Sequence, residues 1–290
     1  MEVLAALPAG VFVITAGVFG LLVGSFLNVV IHRLPRGESI VSPASRCPGC
    51  GRGIRPWENV PLLSWLLLRG RCAGCHAPIS WRYPAVELLT GLIFAAIALR
   101  YGATAMTPVW FAFAGALLAA AVIDIDHRII PDEISLGGLV LAVLVVPWLE
   151  SLSGSLLVDN LLRSAGGALI GGGVLWAVGF VHARVCTAAG RTFEHWPGEG
   201  EELPRPSSLD YWIWFPGLGF GDVKLLAMIG AVLGPVGVLE TILAASIAGL
   251  GLGLAWALVA RSWNAPFGFG PAIALGALFV VLVPLRLFPS

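Results

Sequence analysis

Long apolar segments without charges constrain this chain more than any other feature. Residues 107–123, TPVWFAFAGALLAAAVI, contain no charged side chain, and other segments are apolar around the whole circumference of a helix. Helices of soluble proteins instead have one apolar and one polar face. With 58% hydrophobic and 12% charged residues over 290 positions, the chain has more apolar material than a soluble domain could bury. It is predicted to be an all-α integral membrane protein.

A membrane-spanning helix needs about 20 mostly apolar residues, and on this basis about eight transmembrane helices are predicted. They cover residues 9–31, 85–104, 107–123, 134–149, 161–183, 222–237, 239–260 and 267–286. The first span lacks a cationic segment before it and an A-x-A cleavage site. It is therefore expected to be a retained anchor and not a cleaved signal peptide.

Lysine and arginine are distributed unevenly between the two sides of these spans. Fourteen of the seventeen lie on one side, and only Arg100, Arg163 and Arg286 fall on the other. Because cytoplasmic connections are enriched in these residues, the side with fourteen is predicted to be cytoplasmic and both termini to face outwards. The formal net charge is zero, and we expect the lipid bilayer as a partner but no nucleic acid.

The predicted organisation has three parts. These are a first transmembrane helix within residues 1–31, a cytoplasmic zinc-knuckle domain over 32–84, and a seven-helix transmembrane core over 85–290 with a cytoplasmic loop at 184–221.

Two Cys-x-x-Cys pairs define the domain between spans 1 and 2. They are CPGC and CAGC, with 21 residues between them. Each knuckle directs two thiolates to one side of a metal ion, and the intervening loop brings the second pair opposite. Cys47, Cys50, Cys72 and Cys75 are therefore predicted to bind a structural Zn²⁺ with no open position for water. Disulfides are the alternative, which a reducing cytoplasm disfavours.

Carboxylates at the edge of apolar segments are costly unless they have a function or a partner. Asp124 ends span 3, and Asp222 begins span 6 on the same predicted side. Two acids held close together share one proton, so one can activate water while the other donates to a carbonyl. Asp126 lies about 200° around a helix from Asp124, so only one of these two can serve. A helix N-cap is the alternative for Asp222, and Asp132 is assigned as an N-cap.

Glu87 is a further acid, near the start of span 2. It lies at interfacial depth and is expected to extend towards the headgroups or to pair with Arg82 or Lys224. A role in the site is the less favoured interpretation.

Six motifs together resemble the type IV prepilin peptidases. They are GSFLNVVIHRLPRGES at 24–39, RPWENVPLLSWLLLRGRC with its flanking cysteine pairs, ISWRYPAVELLTG at 79–91, IDIDHRIIPD at 123–132, GFGDVKLLAMIG at 219–230 and PFGFGPAIALG at 266–276. The resemblance covers nearly the whole chain, and the occurrence of all the motifs in this order makes it specific.

This resemblance implies an eight-span membrane aspartic protease. The family's catalytic residues are the first aspartate of IDxDH and the aspartate of GxGD, which fall on Asp124 and Asp222. The implied reaction is removal of the basic leader from type IV prepilins or type II secretion pseudopilins at the cytoplasmic face of the bacterial inner membrane. Many members then methylate the new N-terminal amine with S-adenosylmethionine.

Methyl transfer is expected from the resemblance alone. Family members that lack the cysteine-bearing loop tend to be peptidases only, and this chain retains the loop. No Gly-x-Gly-x-x-Gly motif follows a predicted strand, so no residue is assigned to the methyl donor. The alternatives are a peptidase without methyltransferase activity and a secondary transporter, which would place its acids near the membrane midplane.

Overall fold

Helices make up nearly all of the regular structure. The computed structural model describes residues 8–191, 205–213, 215, 218–262 and 268–283, and within these ranges extended backbone pairs only at isolated bridges. The prediction of an all-α fold is confirmed. In chain order the helices are α1 (Ala9–Arg33) with a 3₁₀ extension (Leu34–Arg36), a 3₁₀ turn (Pro56–Glu58), α2 (Leu63–Leu67), α3 (Arg82–Tyr101), α4 (Thr107–His127), α5 (Asp132–Ser151), α6 (Leu157–Ala188), α7 (Asp210–Ile213), α8 (Phe220–Ala260) and α9 (Gly270–Leu282).

Six of the described helices are long and apolar enough to cross a membrane, namely α1, α3, α4, α5, α6 and α8. The predicted count of eight is therefore not confirmed. Helix α9 is apolar but has 13 residues. Helix α8 has 41 residues and includes both the sixth and the seventh predicted span.

The two predicted spans within α8 meet at a kink. Gly234 has φ 78° and ψ −178°, and Pro235 follows it. Glycine tolerates this conformation, and proline has no N–H to continue the helical hydrogen bonds. The break was expected between residues 237 and 239, and it lies a few residues earlier because these two residue types coincide there.

The outward faces of the long helices are apolar. Leu169, Leu250 and Val259 are 76%, 77% and 81% exposed. Such surfaces are unfavourable in water but are matched by the hydrocarbon of a bilayer. This exposure, together with the lengths of the helices, identifies a multi-pass membrane protein.

The chain divides into two compact units, residues 1–127 and 128–290. In the first unit, glycines bring α1 close to α3. A Cβ on Gly20 would lie 2.8 Å from the Cα of Gly91, and a Cβ on Gly24 would lie 2.7 Å from the Cα of Glu87. Small residues thus allow the backbones to approach, as in other membrane helix pairs.

In the second unit, α6 packs against α8 even more closely. A Cβ on Gly167 would lie 2.0 Å from the carbonyl oxygen of Gly230, and one on Gly171 would lie 2.2 Å from that of Leu226. Both glycines lie on one face of α6, four residues apart. This contact fixes the position of the helix that carries Asp222.

Candidate functional site

The four cysteines of the loop between α1 and α3 come together. Their Sγ atoms all lie within 4.8 Å of one another, and those of Cys47 and Cys75 are 3.8 Å apart. A tetrahedral Zn²⁺ with bonds of about 2.3 Å separates its thiolates by roughly 3.8 Å. All five cysteines of the chain lie in the described residues, and each is free of a disulfide. The donor set therefore fits a four-coordinate zinc site.

The two knuckles share one backbone pattern, over residues 47–52 and 72–77. In each, the N–H of the first residue donates to the carbonyl of the sixth at 2.9 Å, and the N–H of the fifth donates back to the carbonyl of the first. The fifth residue is in the left-handed region, with φ 69° at Gly51 and φ 57° at His76. The cluster is thus built from two equivalent turns.

Backbone amides in the second knuckle favour a thiolate. The N–H groups of Cys75 and Gly74 donate to Cys72 and lower its pKa to about 6. The distance from the Gly74 nitrogen to the Cys72 Sγ is 3.4 Å. Since the thiolate is the form that binds a metal, Cys72 is the thiol of this knuckle that is prepared for a cation, whereas the neighbouring thiol of Cys50 helps to raise the pKa of Cys75 to about 11.

Glu87 connects the cysteine-bearing loop to the helices of the first unit. Its Oε2 accepts a hydrogen bond from the Leu62 N–H at 2.8 Å. The side chain is buried, so it neither extends towards the headgroups nor forms the ion pair with Arg82 or Lys224 that the sequence suggested. Leu62 has φ 60° and ψ −50°, and the N–H of Leu63 donates to the Pro61 carbonyl at 2.6 Å. This tight three-residue turn is strained for a leucine. The buried carboxylate stabilises it.

Asp124 and Asp126 lie in different surroundings at the end of α4. Asp124 is only 5% exposed. Asp126 is exposed, and its Oδ2 lies 2.6 Å from Nη2 of Arg82. The helix therefore turns one carboxylate inwards and the other into an ion pair, which favours Asp124 as the residue of a protein-enclosed site.

Asp222 lies in the first turn of α8 and is 8% exposed. The N-cap of this helix is Gly219, without a side-chain cap hydrogen bond. The alternative interpretation of Asp222 as an N-cap is therefore wrong. A Cβ on Gly221 would lie 3.1 Å from the Cβ of Ile130, so this glycine lets the segment before α5 lie against the start of α8.

The sequence predicted that Asp132 is the N-cap of α5, but Asp132 is the first residue of this helix. The cap position is Pro131, and it makes no side-chain cap hydrogen bond. Asp132 instead forms an ion pair with the ammonium group of Lys224 on α8. The pair ties the start of α5 to the turn that carries Asp222. Sequence reasoning missed it because the partners are 92 positions apart.

The predicted catalytic aspartates belong to different units, Asp124 to residues 1–127 and Asp222 to residues 128–290. Each is buried at the end of a helix that is long enough to span a bilayer. Their convergence stays a prediction. Together with the thiol cluster, these residues define a polytopic membrane protein with a metal-binding loop and two buried acids.

Comparison with known proteins places the chain in a family. Residues 18–101 match the bacterial peptidase A24 N-terminal domain, and residues 111–254 match the type IV leader peptidase family. The chain belongs to the type IV leader peptidase family.

Its relatives include proteins named prepilin leader peptidase/N-methyltransferase. The one from Stutzerimonas stutzeri is 35% identical over 97% of this chain and 94% of its own length. The Pseudomonas aeruginosa relative is 35% identical over 97% and 93%, and the Myxococcus xanthus relative is 39% identical over 84% and 62%. No solved structure matches the chain.

Proposed function

We propose that this protein is a prepilin leader peptidase of the bacterial inner membrane, which removes the leader of type IV prepilins or type II secretion pseudopilins and then methylates the new N-terminus. The observation that carries the proposal is the burial of Asp124 and Asp222 within the two halves of a chain that matches the leader peptidase family. The names of the relatives support both activities.

Asp124 and Asp222 form the catalytic pair in this proposal. Two carboxylates at close range hold one proton between them. The ionised carboxylate takes a proton from water as it attacks the scissile carbonyl, and the protonated one donates to the carbonyl oxygen. Burial strengthens both interactions because the local dielectric constant is low. The exposed, arginine-paired Asp126 has no part in this step.

The cysteine cluster holds Zn²⁺ as a structural ion. The ligands would be Cys47, Cys50, Cys72 and Cys75, and four thiolates leave no position for a catalytic water. The ion would fix the two knuckles against each other. The Leu62–Glu87 hydrogen bond then passes this order on to α3.

The charge distribution supports a cytoplasmic position for the thiol cluster and outward-facing termini. A prepilin has an apolar helix in the bilayer and a basic leader in the cytoplasm. Its scissile bond therefore lies at the cytoplasmic interface, the depth at which the ends of α4 and α8 that carry the two acids are expected.

The test uses the purified full chain in detergent micelles with a prepilin substrate and labelled S-adenosylmethionine. Leader loss is followed on gels and methyl incorporation by label. Asp124→Asn and Asp222→Asn should each reduce cleavage at least a thousandfold, since an amide cannot replace either role. Glu133→Gln is the matched control. It neutralises an exposed carboxylate at the start of α5, and this variant should cleave the leader normally.

Cleavage that persists in either asparagine variant would refute the assignment of the pair. Leader loss by the wild-type protein without methyl incorporation would identify a peptidase without methyltransferase activity, which is the alternative function for this chain.

A further inference from the structure

A polar cavity lies in the first unit, where α1 and α4 end and α3 begins. It has a volume of about 350 Å³, within the range of small-molecule sites. The residues that line it include Arg36, Arg82, Asp126 and Tyr83. Ser80, from the end of the cysteine-bearing loop, completes one side. Neither the thiol cluster nor the buried Asp124 accounts for this group of side chains.

The charged groups of the cavity are held in place from several elements. Arg82 Nη2 lies 2.6 Å from Asp126 Oδ2. Arg36 Nη1 donates to the carbonyl oxygen of His32 and lies 3.2 Å from its ring Nδ1. A guanidinium has five N–H donors, so each arginine keeps further donors for an anion. The cavity is therefore lined by cationic, acidic and aromatic residues together.

We propose that this cavity binds S-adenosylmethionine, an inference that rests on the methyltransferase half of the proposed function. The ligand combines an amino-acid carboxylate, an ammonium group, ribose hydroxyls and an adenine ring. Arg36 suits the carboxylate, Asp126 suits the hydroxyls or the ammonium group, and Tyr83 with Ile31 suits the adenine. Ile31 also lines the cavity.

The position of the cavity suits the reaction. Asp126 follows Asp124 by two residues, which is about 3 Å along the axis of α4, so the cavity lies at the depth of the proposed catalytic carboxylate. The amine released there is neutral after losing its proton to water. Its lone pair forms the new N–C bond as the S–C bond of the sulfonium breaks, and the thioether leaves uncharged. A second proton passes from the methylated ammonium to water.

Binding is tested without the prepilin. Calorimetry measures the affinity of the purified full chain for S-adenosylhomocysteine. Ultraviolet cross-linking of methyl-labelled S-adenosylmethionine, followed by trypsin digestion, reports the contact residue. We expect the label in the peptide of residues 83–100, which carries Tyr83. Arg36→Gln should weaken binding about tenfold or more, because a charge-assisted contact is lost. Ser80→Tyr should do the same by filling the cavity.

Arg55→Gln is the matched control. It removes the same charge from the connection between α1 and α3, and Arg55 lies over the Trp57 ring, outside the residues that line the cavity. It should bind as the wild-type protein does. Melting temperatures check that each variant is folded, and Ser80→Tyr keeps the test valid if Arg36→Gln unfolds.

Several results would overturn the inference. These are wild-type affinity in both cavity variants, label in another peptide, and no wild-type binding at millimolar ligand. Displacement of the ligand by an equal concentration of glycerol 3-phosphate would instead assign the cavity to lipid headgroups. Leader cleavage by wild-type protein that does not bind the ligand would refute the cavity assignment but retain the peptidase. Binding of the ligand by wild-type protein that does not cleave the leader would retain the cavity assignment and refute the peptidase.

Discussion

The contact between α6 and α8 gives the sharpest test of the packing. In Gly167→Ala, the new methyl group would lie 2.0 Å from the carbonyl oxygen of Gly230 and 2.8 Å from backbone carbon atoms of Gly230 and Gly234. Carbon and oxygen atoms in contact need more than 3 Å, so the helices must separate by about 1 Å. All three neighbours are backbone atoms, and no side-chain rotation can relieve the clash.

The expected cost follows from two opposing contributions. Overpacking costs about 1–3 kcal/mol or more, and this contact belongs at the upper end. Alanine regains about 0.5–1 kcal/mol over glycine within a helix. The variant should therefore lose on the order of 2 kcal/mol of unfolding free energy. Gly173→Ala is the control because it lies on the same helix, is exposed, and its Cβ would meet no atom within 4 Å. It should gain about 0.5–1 kcal/mol.

Reversible unfolding in mixed detergent micelles, followed by the fluorescence of the 11 tryptophans, measures both variants. Leader cleavage provides a second readout, since a shift of α8 displaces Asp222, and only Gly167→Ala should reduce it. If Gly167→Ala were as stable and active as Gly173→Ala, the two helices would not be in this contact and the reasoning would fail.

Four further groups of experiments test other parts of the structure. Removing the metal with a chelator, or replacing Cys47 by Ser, should lower the zinc content measured by atomic absorption by about one ion per chain. Either change should destabilise the loop between α1 and α3, and zinc-free protein with an unchanged melting curve would contradict the structural role. His76→Gly should remove the strain of a left-handed histidine, which stabilises the folded knuckle by up to about 1 kcal/mol, and should slow zinc transfer to a chromogenic chelator. Gly51→Ala introduces such strain in the other knuckle and should accelerate the transfer. Arg163→Met should lower the free energy of unfolding by about 1–2 kcal/mol, because Arg163 donates to the Leu233 carbonyl at the kink of α8 at 3.3 Å and pairs with Glu150. A double-mutant cycle with Glu150→Gln that showed no coupling would count against the contact between Arg163 and Glu150. Alkaline phosphatase fused after Ser153 should be active and after Gly190 inactive, and the opposite pattern would reverse the predicted topology.

Local signals in the sequence were sufficient for the thiol cluster and for most of the apolar helices. Two Cys-x-x-Cys knuckles need only a short turn each, and their chemistry does not depend on the rest of the fold. The kink in α8 was predicted at the wrong position because its local signal is weak. A break within a continuous apolar run leaves composition unchanged, and only the adjacent Gly234 and Pro235 mark it.

Partners of the charged residues could not be predicted from local sequence. Glu87 bonds to a backbone amide 25 residues away, and nothing in the composition of either segment distinguishes that amide from its neighbours. The pairing of Asp132 with Lys224 joins α5 to α8 across 92 positions of the sequence. Such interactions are set by tertiary packing, which a hydropathy pattern does not contain.

The end of α4 shows how periodicity and packing together limit function. Helical geometry alone required that Asp124 and Asp126 face different directions, and it did not say which one faces the protein. The structure buries Asp124 and pairs Asp126 with Arg82 in a cavity of different chemistry. If both proposals hold, one helix end supplies a carboxylate to each of two reactions. The proteolytic acid and the methyl donor then lie at nearly the same depth but on different faces of α4, so a newly released amine must pass around the end of this helix to be methylated.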